Sequence, residues 1–239
     1  MSTHPSPLSP QETQKLVVQR FVQLGVFVAV MAALLFLTAG RIDWLGGWLA
    51  LGSYLALIGV TAWLVLPKHQ DLVAERAQMQ ANVKPWDKVL SPLISLVGWL
   101  GTLAVAGLDV RFHWAPPFSL PVQLVGLALV CAGYALVVWA MTSNTFFSSF
   151  VRIQTERGHH VVNQGPYRLV RHPGYLGGLL STLGVPFLLG SICALGPAAL
   201  ALVLIIVRTA LEDRTLQAEL PGYLEYTRIT RWRLLPGVW

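Results

Sequence analysis

The segment Gly165-Pro-Tyr-Arg-Leu-Val-Arg-His-Pro-Gly-Tyr175 sets two arginines, a histidine and two tyrosines against a run without charge from Gly174 to Val207. These side chains offer hydrogen-bond donors and positive charge, which is the chemistry that holds a polar or anionic group. Loops that carry function sit on rigid scaffolds, and ionisable groups at membrane depth are functional candidates by default. His172 precedes Pro173, which restricts the histidine backbone and starts a helix. A helix start leaves N–H groups unpaired, and these bind anions. The plain alternative is a positively charged flank that only orients the next span.

Arg208 and Glu212 are four residues apart, hence on one face of a helix that emerges from the last apolar run. As a surface ion pair they would contribute about 0.2–0.5 kcal/mol. Arg208 lies one residue beyond that run, where an unneeded charge is costly, so the pair reads as functional. The Arg208 guanidinium is a planar fork suited to a carboxylate, and Glu212-Asp213 suits a cationic cofactor. His159-His160 does not read as a metal site, because adjacent histidines point apart and no third ligand is near. There is no glycine-rich dinucleotide fingerprint and no Walker loop. Cys131 and Cys193 are far apart and read as small apolar residues, and Gly177-Gly178 reads as close helix packing.

The elements that must position these residues are apolar helices. Hydrophobic residues make up 54% of the 239 positions and charged ones 12%, with mean hydropathy +0.59. An ordinary soluble domain is about one-quarter charged. Apolar runs over 21–40, 44–66, 89–108, 119–141, 174–190 and 192–211 predict an all-α, polytopic membrane protein with six spans. The last two form one uncharged run, which must break, and Gly190-Ser191 is the expected turn. Fifteen Lys and Arg fall on the side of the N-terminus, against Arg41 and Arg111 opposite. That asymmetry places both termini in the cytoplasm, consistent with a bacterial inner membrane. It also accounts for the net charge of +6 through anionic headgroups, without nucleic acid.

The chain divides at residues 1–142, mostly spans and turns, and 143–239, where the polar groups concentrate. Ser2–Pro10 reads as disordered, and the first apolar run as a retained span rather than a removed signal. Asp71–Met79 reads as a short amphipathic helix lying at the headgroups. Alternation at Val151 and Ile153 could pass for a strand, but an open edge is excluded from hydrocarbon, so this piece must lie at the interface or inside protein. Helical spacing of Leu211, Leu216 and Leu220 ends at Pro221-Gly222.

The order Gln154, His159-His-Val-Val162, Gly165-Pro-Tyr167, Arg171-His-Pro-Gly-Tyr175, Arg208, Glu212, Tyr223-Leu-Glu-Tyr226 and Arg231–Pro236 resembles the isoprenylcysteine carboxyl methyltransferase family and its phospholipid methyltransferase relatives. The resemblance covers about Asn144 to Pro236 and implies a polytopic enzyme that uses S-adenosylmethionine at a C-terminal cytoplasmic site. It implies that Gln154, His159, His160, Val161, Val162, Tyr167, Arg171, His172, Pro173, Gly174, Tyr175 and Glu212 line the cofactor site, with Arg208 on the acceptor side beside Glu212. Asp213 stands where many relatives carry a second glutamate. The expected acceptor is an amphipathic or lipid-soluble small molecule, methylated on O, S or N, that enters from the bilayer. A sterol-reductase-like enzyme using NADPH and a non-catalytic scaffold or transporter are the competing readings.

Overall fold

The structure, a computed structural model, describes residues 9–67, 70–77 and 82–239. Of the segment expected to be disordered, only Ser9 and Pro10 are described; Lys68 and Met79 also lie outside the described residues. The described chain is helical, with no strand among the described residues. Helix α1 (Pro10–Ala39) opens on a local signal: Ser9 Oγ accepts from the Glu12 N–H, and the Glu12 carboxylate accepts from the Ser9 N–H. This reciprocal cap satisfies two of the orphan donors at a helix start. Gly40 ends α1 in the left-handed region, at φ 68°.

Helices α2 (Leu45–Val65) and α3 (Gln70–Glu75) come next in the chain. The third span is composite, with α4 (Asp87–Ile94) passing through a π-helical segment, Ser95–Gly101, into α5 (Thr102–Phe112). Pro92 has no N–H to close an α-helical turn, and the π segment begins three residues later. Helices α6 (Leu120–Ser143), α7 (Pro173–Leu189), α8 (Leu195–Glu219) and α9 (Tyr223–Ile229) complete the chain. Five helical stretches among the described residues are long and apolar enough to cross a membrane. The expected span at 174–190 is instead the 17-residue α7, held between Pro173 and Gly190 and about 25 Å long at ~1.5 Å per residue. Gly190, at φ 75°, supplies the expected break before α8.

Helices α6 and α7 pack so closely that a Cβ on Gly177 would stand 2.5 Å from the Gly133 carbonyl oxygen. Gly178, expected to serve the same purpose, faces open space instead. Met31, Leu35, Leu51, Leu103, Val130 and Leu188 form the main core at this level of the bundle. Apolar side chains such as Leu37, Trp63 and Val203 remain exposed on the outer faces, as lipid contact requires. This is a polytopic helical membrane protein.

The segments richest in Lys and Arg gather at one end. There Leu16 of α1 packs on Ala74 and Ala77, and the loop after α6 meets both the α3–α4 connection and the C-terminal tail. Arg111 lies beside Gly40 at the opposite end. The reading of the α3 region as a helix resting on headgroups is corrected for its described part. Leu72 and Ala74 are fully buried, and Leu72 packs with Val65 and Met141.

Candidate functional site

The loop between α6 and α7 runs from Asn144 to His172 and contains two 3-10 turns, Thr155–Arg157 and Gly165–Arg168. Its irregular backbone is placed by side chains. Asn144 Oδ1 accepts from the Phe146 N–H at 2.8 Å. The buried Gln154 donates to the Phe146 carbonyl at 2.7 Å and accepts from Arg157 at 2.7 Å. Val151 and Ile153 form no strand; Val151 O instead accepts from Lys84 N at 2.9 Å, and Asn82 donates to Ile153 O at 3.0 Å. Arg152, almost wholly buried, bonds Glu75 at 2.7 Å and Glu156 at 2.6 Å. Backbone polar groups that would be intolerable in hydrocarbon are thus satisfied inside protein.

Two buried aspartates organise the charged side chains around this loop. Asp213 of α8 takes the Arg171 guanidinium through Nε at 2.8 Å and Nη2 at 3.1 Å. It also meets His172 Nε2 at 3.1 Å, Tyr223 Oη at 3.1 Å, Gln217 Nε2 at 2.7 Å and Arg233 Nε at 2.8 Å. Arg171 and His172 N–H groups donate to the Trp232 and Arg233 carbonyls, so this knot also ties down the tail. Asp87, at the start of α4, accepts from Arg208 Nε at 2.7 Å, Arg208 Nη2 at 2.9 Å and the Val151 N–H at 2.7 Å. Arg208 Nη2 also donates to Ser149 O at 2.9 Å.

These bonds border a partly open cavity of about 770 Å³. Its polar end is lined by His159, His160, Val161, Val162, Tyr167, Arg171, His172, Gly174, Tyr175, Arg208 and Glu212. Eleven of the thirteen residues named from the sequence therefore share one wall. Gln154 and Pro173 are outside the lining: Gln154 is consumed in holding the loop, and Pro173 is buried as the first residue of α7.

Three of these side chains already have protein partners. Arg171 and His172 line the cavity, and the Arg171 fork and His172 Nε2 also bond Asp213. The Arg208 fork is paired with Asp87, and its guanidinium lies 5.2 Å over the Tyr175 ring. Glu212 accepts a hydrogen bond from the Tyr175 hydroxyl and is the one acidic residue on the cavity wall among the described residues.

Charge states follow from burial. The His159 imidazole is pushed down to about 4, mainly by burial and then by His160, Arg152 and Arg157. It is therefore neutral at pH 7, and its Nδ1 accepts from the Gln154 N–H at 3.2 Å. Burial pushes the Tyr167 and Tyr223 phenols up, so both stay protonated; Tyr223 donates to Asp213, and Tyr167 Oη accepts from Asn144 at 3.2 Å.

The opposite end of the cavity lies among the spans. Phe27 of α1, Tyr54 of α2, Trp99 of the π segment and Tyr134 of α6 line it, with Phe27–Tyr54 and Tyr54–Trp99 centroids 5.4 and 5.5 Å apart. Rings at such separations form favourable aromatic pairs. Sequence reasoning missed this group, since each ring is one apolar residue within a long apolar run. It also missed Asp87, whose only signal was an acid at the edge of the third span. Among the described residues no group of three or more metal-ligating side chains occurs.

Residues 125–218 match the isoprenylcysteine carboxyl methyltransferase family. A cobalt-zinc-cadmium resistance protein of Cupriavidus metallidurans is 31% identical over 120 residues, covering 49% of this chain and 49% of its own length. A probable protein-S-isoprenylcysteine O-methyltransferase of Oryza sativa subsp. indica is 38% identical over 69 residues, 28% of this chain and 36% of its own length. Protein-S-isoprenylcysteine O-methyltransferase A of Arabidopsis thaliana is 29% identical over 100 residues, 42% of this chain and 48% of its own length. The chain thus spans about half, or less, of the length of these relatives.

Proposed function

We propose that this chain, which over residues 125–218 belongs to the isoprenylcysteine carboxyl methyltransferase family, is an integral membrane methyltransferase that uses S-adenosylmethionine. The observation that carries the reading is the single cavity joining a polar end, where Glu212 stands, to an aromatic end among the spans. Its volume of about 770 Å³ lies toward the top of the ~300–1,000 Å³ range of ligand sites.

The lining fits the cofactor. Glu212 supplies a negative charge for a cationic group, and the first turn of α7 opens on the cavity at Gly174 and Tyr175. Neutral His159 and Phe146, with ring centroids 4.6 Å apart and planes tilted by 34°, form an aromatic wall on which a purine can pack. S-adenosylmethionine, when bound, supplies an electrophilic methyl group on a sulfonium centre.

The protein's part is positioning and water exclusion, since methyl transfer needs the nucleophile in line at near-attack distance. Residues 143–239 hold the donor side, and residues 1–142 contribute most of the aromatic acceptor side. Asp87 and Arg208 join the two halves and hold the Tyr175 ring against Glu212. The acceptor is lipophilic and enters from the bilayer. A carboxylate or thiolate acceptor needs no general base; an amine would need one, and Glu212 is the acidic wall residue available. The basic end, with both termini, faces the cytoplasm.

Calorimetry of the purified protein tests this. Binding of S-adenosylmethionine and S-adenosylhomocysteine, without binding of NADPH, is the expected result. Binding of NADPH alone overturns it.

A further inference from the structure

Five arginines line the cavity, and three are matched by carboxylates: Arg152 by Glu75 and Glu156, Arg171 by Asp213, and Arg208 by Asp87. Arg20 and Arg76 have no carboxylate within ion-pair distance among the described residues. Arg20 Nη1 donates to Gln23 Oε1 at 3.3 Å, and the same amide donates through Nε2 to the Ala77 carbonyl at 3.0 Å. Gln23 thereby holds Arg20 and the residue after Arg76 against one wall. Arg76 Nη1 is buried and has no hydrogen-bond partner among the described residues. The Arg76 guanidinium lies 5.4 Å over the Phe147 ring.

A buried guanidinium donor without a partner, on a charge that no carboxylate matches, is costly to leave empty. Burial, followed by the neighbouring charge of Arg20, pushes Arg76 down to about 10, which leaves it cationic at pH 7. The adjoining wall is Phe27, Tyr54 and Trp99.

We infer that Arg76 and Arg20 form an anion-binding subsite that holds the carboxylate or phosphate head of an amphiphile whose apolar body lies against the aromatic wall. Neither arginine lies within residues 125–218, so the two guanidinium groups come from the part of the chain outside the family match. Identifying the amphiphile as the methyl acceptor rests on the methyltransferase function proposed for the cavity; the subsite itself does not.

The test uses the full chain in nanodiscs, with 12-bromododecanoate as a quencher of tryptophan fluorescence and its methyl ester as the uncharged counterpart. The acid should bind ten- to a hundredfold more tightly than the ester, the range expected for one charged hydrogen bond. Arg76→Gln and Arg20→Gln should each erase most of that preference, and Arg76→Lys should restore part of it. S-adenosylhomocysteine affinity, measured on the same samples, should change less than twofold; this reports folding and separates the two sites. Dodecyl phosphate should displace the probe, and inorganic phosphate at the same concentration should not.

Equal affinity for acid and ester, or an acid preference that survives both glutamine variants, overturns the proposal. Loss of S-adenosylhomocysteine binding in a folded Arg76→Lys protein would assign the guanidinium to the cofactor and also overturn it. Displacement by inorganic phosphate would mean a free-anion site and remove the amphiphile. A wild-type protein that prefers the acid yet binds no S-adenosyl compound would refute the methyltransferase reading while leaving the subsite standing.

Discussion

Asp87 and Arg208 are 121 positions apart, and their side chains meet in a two-point ion pair, Nε to Oδ1 at 2.7 Å and Nη2 to Oδ2 at 2.9 Å. The pair fastens the start of the third span to the end of the last and holds the loop backbone at Ser149 and Val151. Removing one member of a buried pair strands the other.

Asp87→Ala should therefore destabilise the protein by about 3–5 kcal/mol, measured by unfolding in mild detergent. Arg208→Lys keeps the charge but loses the planar grip. It should retain S-adenosylhomocysteine binding and lose most methyl transfer, because Tyr175 keeps its hydrogen bond to Glu212 while the two-point Asp87 clamp that aligns the two halves of the cavity is loosened. Abolished cofactor binding in Arg208→Lys, or unchanged transfer, would contradict this.

Asp213 is fully buried beneath two arginines, a histidine, a tyrosine and a glutamine. Asp213→Asn keeps the shape and removes the charge. The expected loss is about 3–5 kcal/mol, with the tail from Thr230 becoming open to trypsin at Arg231 and Arg233. A tail as protected as in the parent protein would show that backbone bonds to Trp232 and Arg233 suffice.

Glu212→Gln keeps the Tyr175 contact in shape but removes the acidic charge on the cavity wall. S-adenosylmethionine affinity should fall ten- to a hundredfold, about 1.5–3 kcal/mol, with the melting temperature nearly unchanged. Calorimetry reads the first quantity and thermal unfolding the second. Unchanged affinity would remove Glu212 from the cofactor site.

His159 gives a pH signature. Its folded-state pKa of about 4 lies below the ordinary 6.5, so the unfolded chain takes up this proton first as pH falls. The stability it contributes is complete above about pH 6.5 and is lost progressively toward pH 4. Imidazole NMR should show no His159 titration between pH 8 and 5, and His159→Gln should flatten the acid side of the stability curve. A midpoint near 6.5 would mean that the ring is solvated.

What the amino-acid sequence determined by itself is local. Hydropathy set the spans, Pro173 and Gly190 bounded α7, and Pro221-Gly222 stopped α8, because each acts through the backbone within a few residues. The motif around Tyr167 to Tyr175 was legible as a candidate site because polar side chains crowd beside an uncharged run. Which partner each charge takes was decided only by tertiary structure. Helical spacing put Arg208 and Glu212 on one face, but only packing gave Arg208 its partner Asp87 and made Asp213 the hub for Arg171 and His172. The physical reason is that a charged side chain declares its need for a partner locally, while the partner is chosen by which helix ends packing brings together. By the same logic Arg76 looked like one more positive charge at the basic end, until burial showed it unmatched among the described residues.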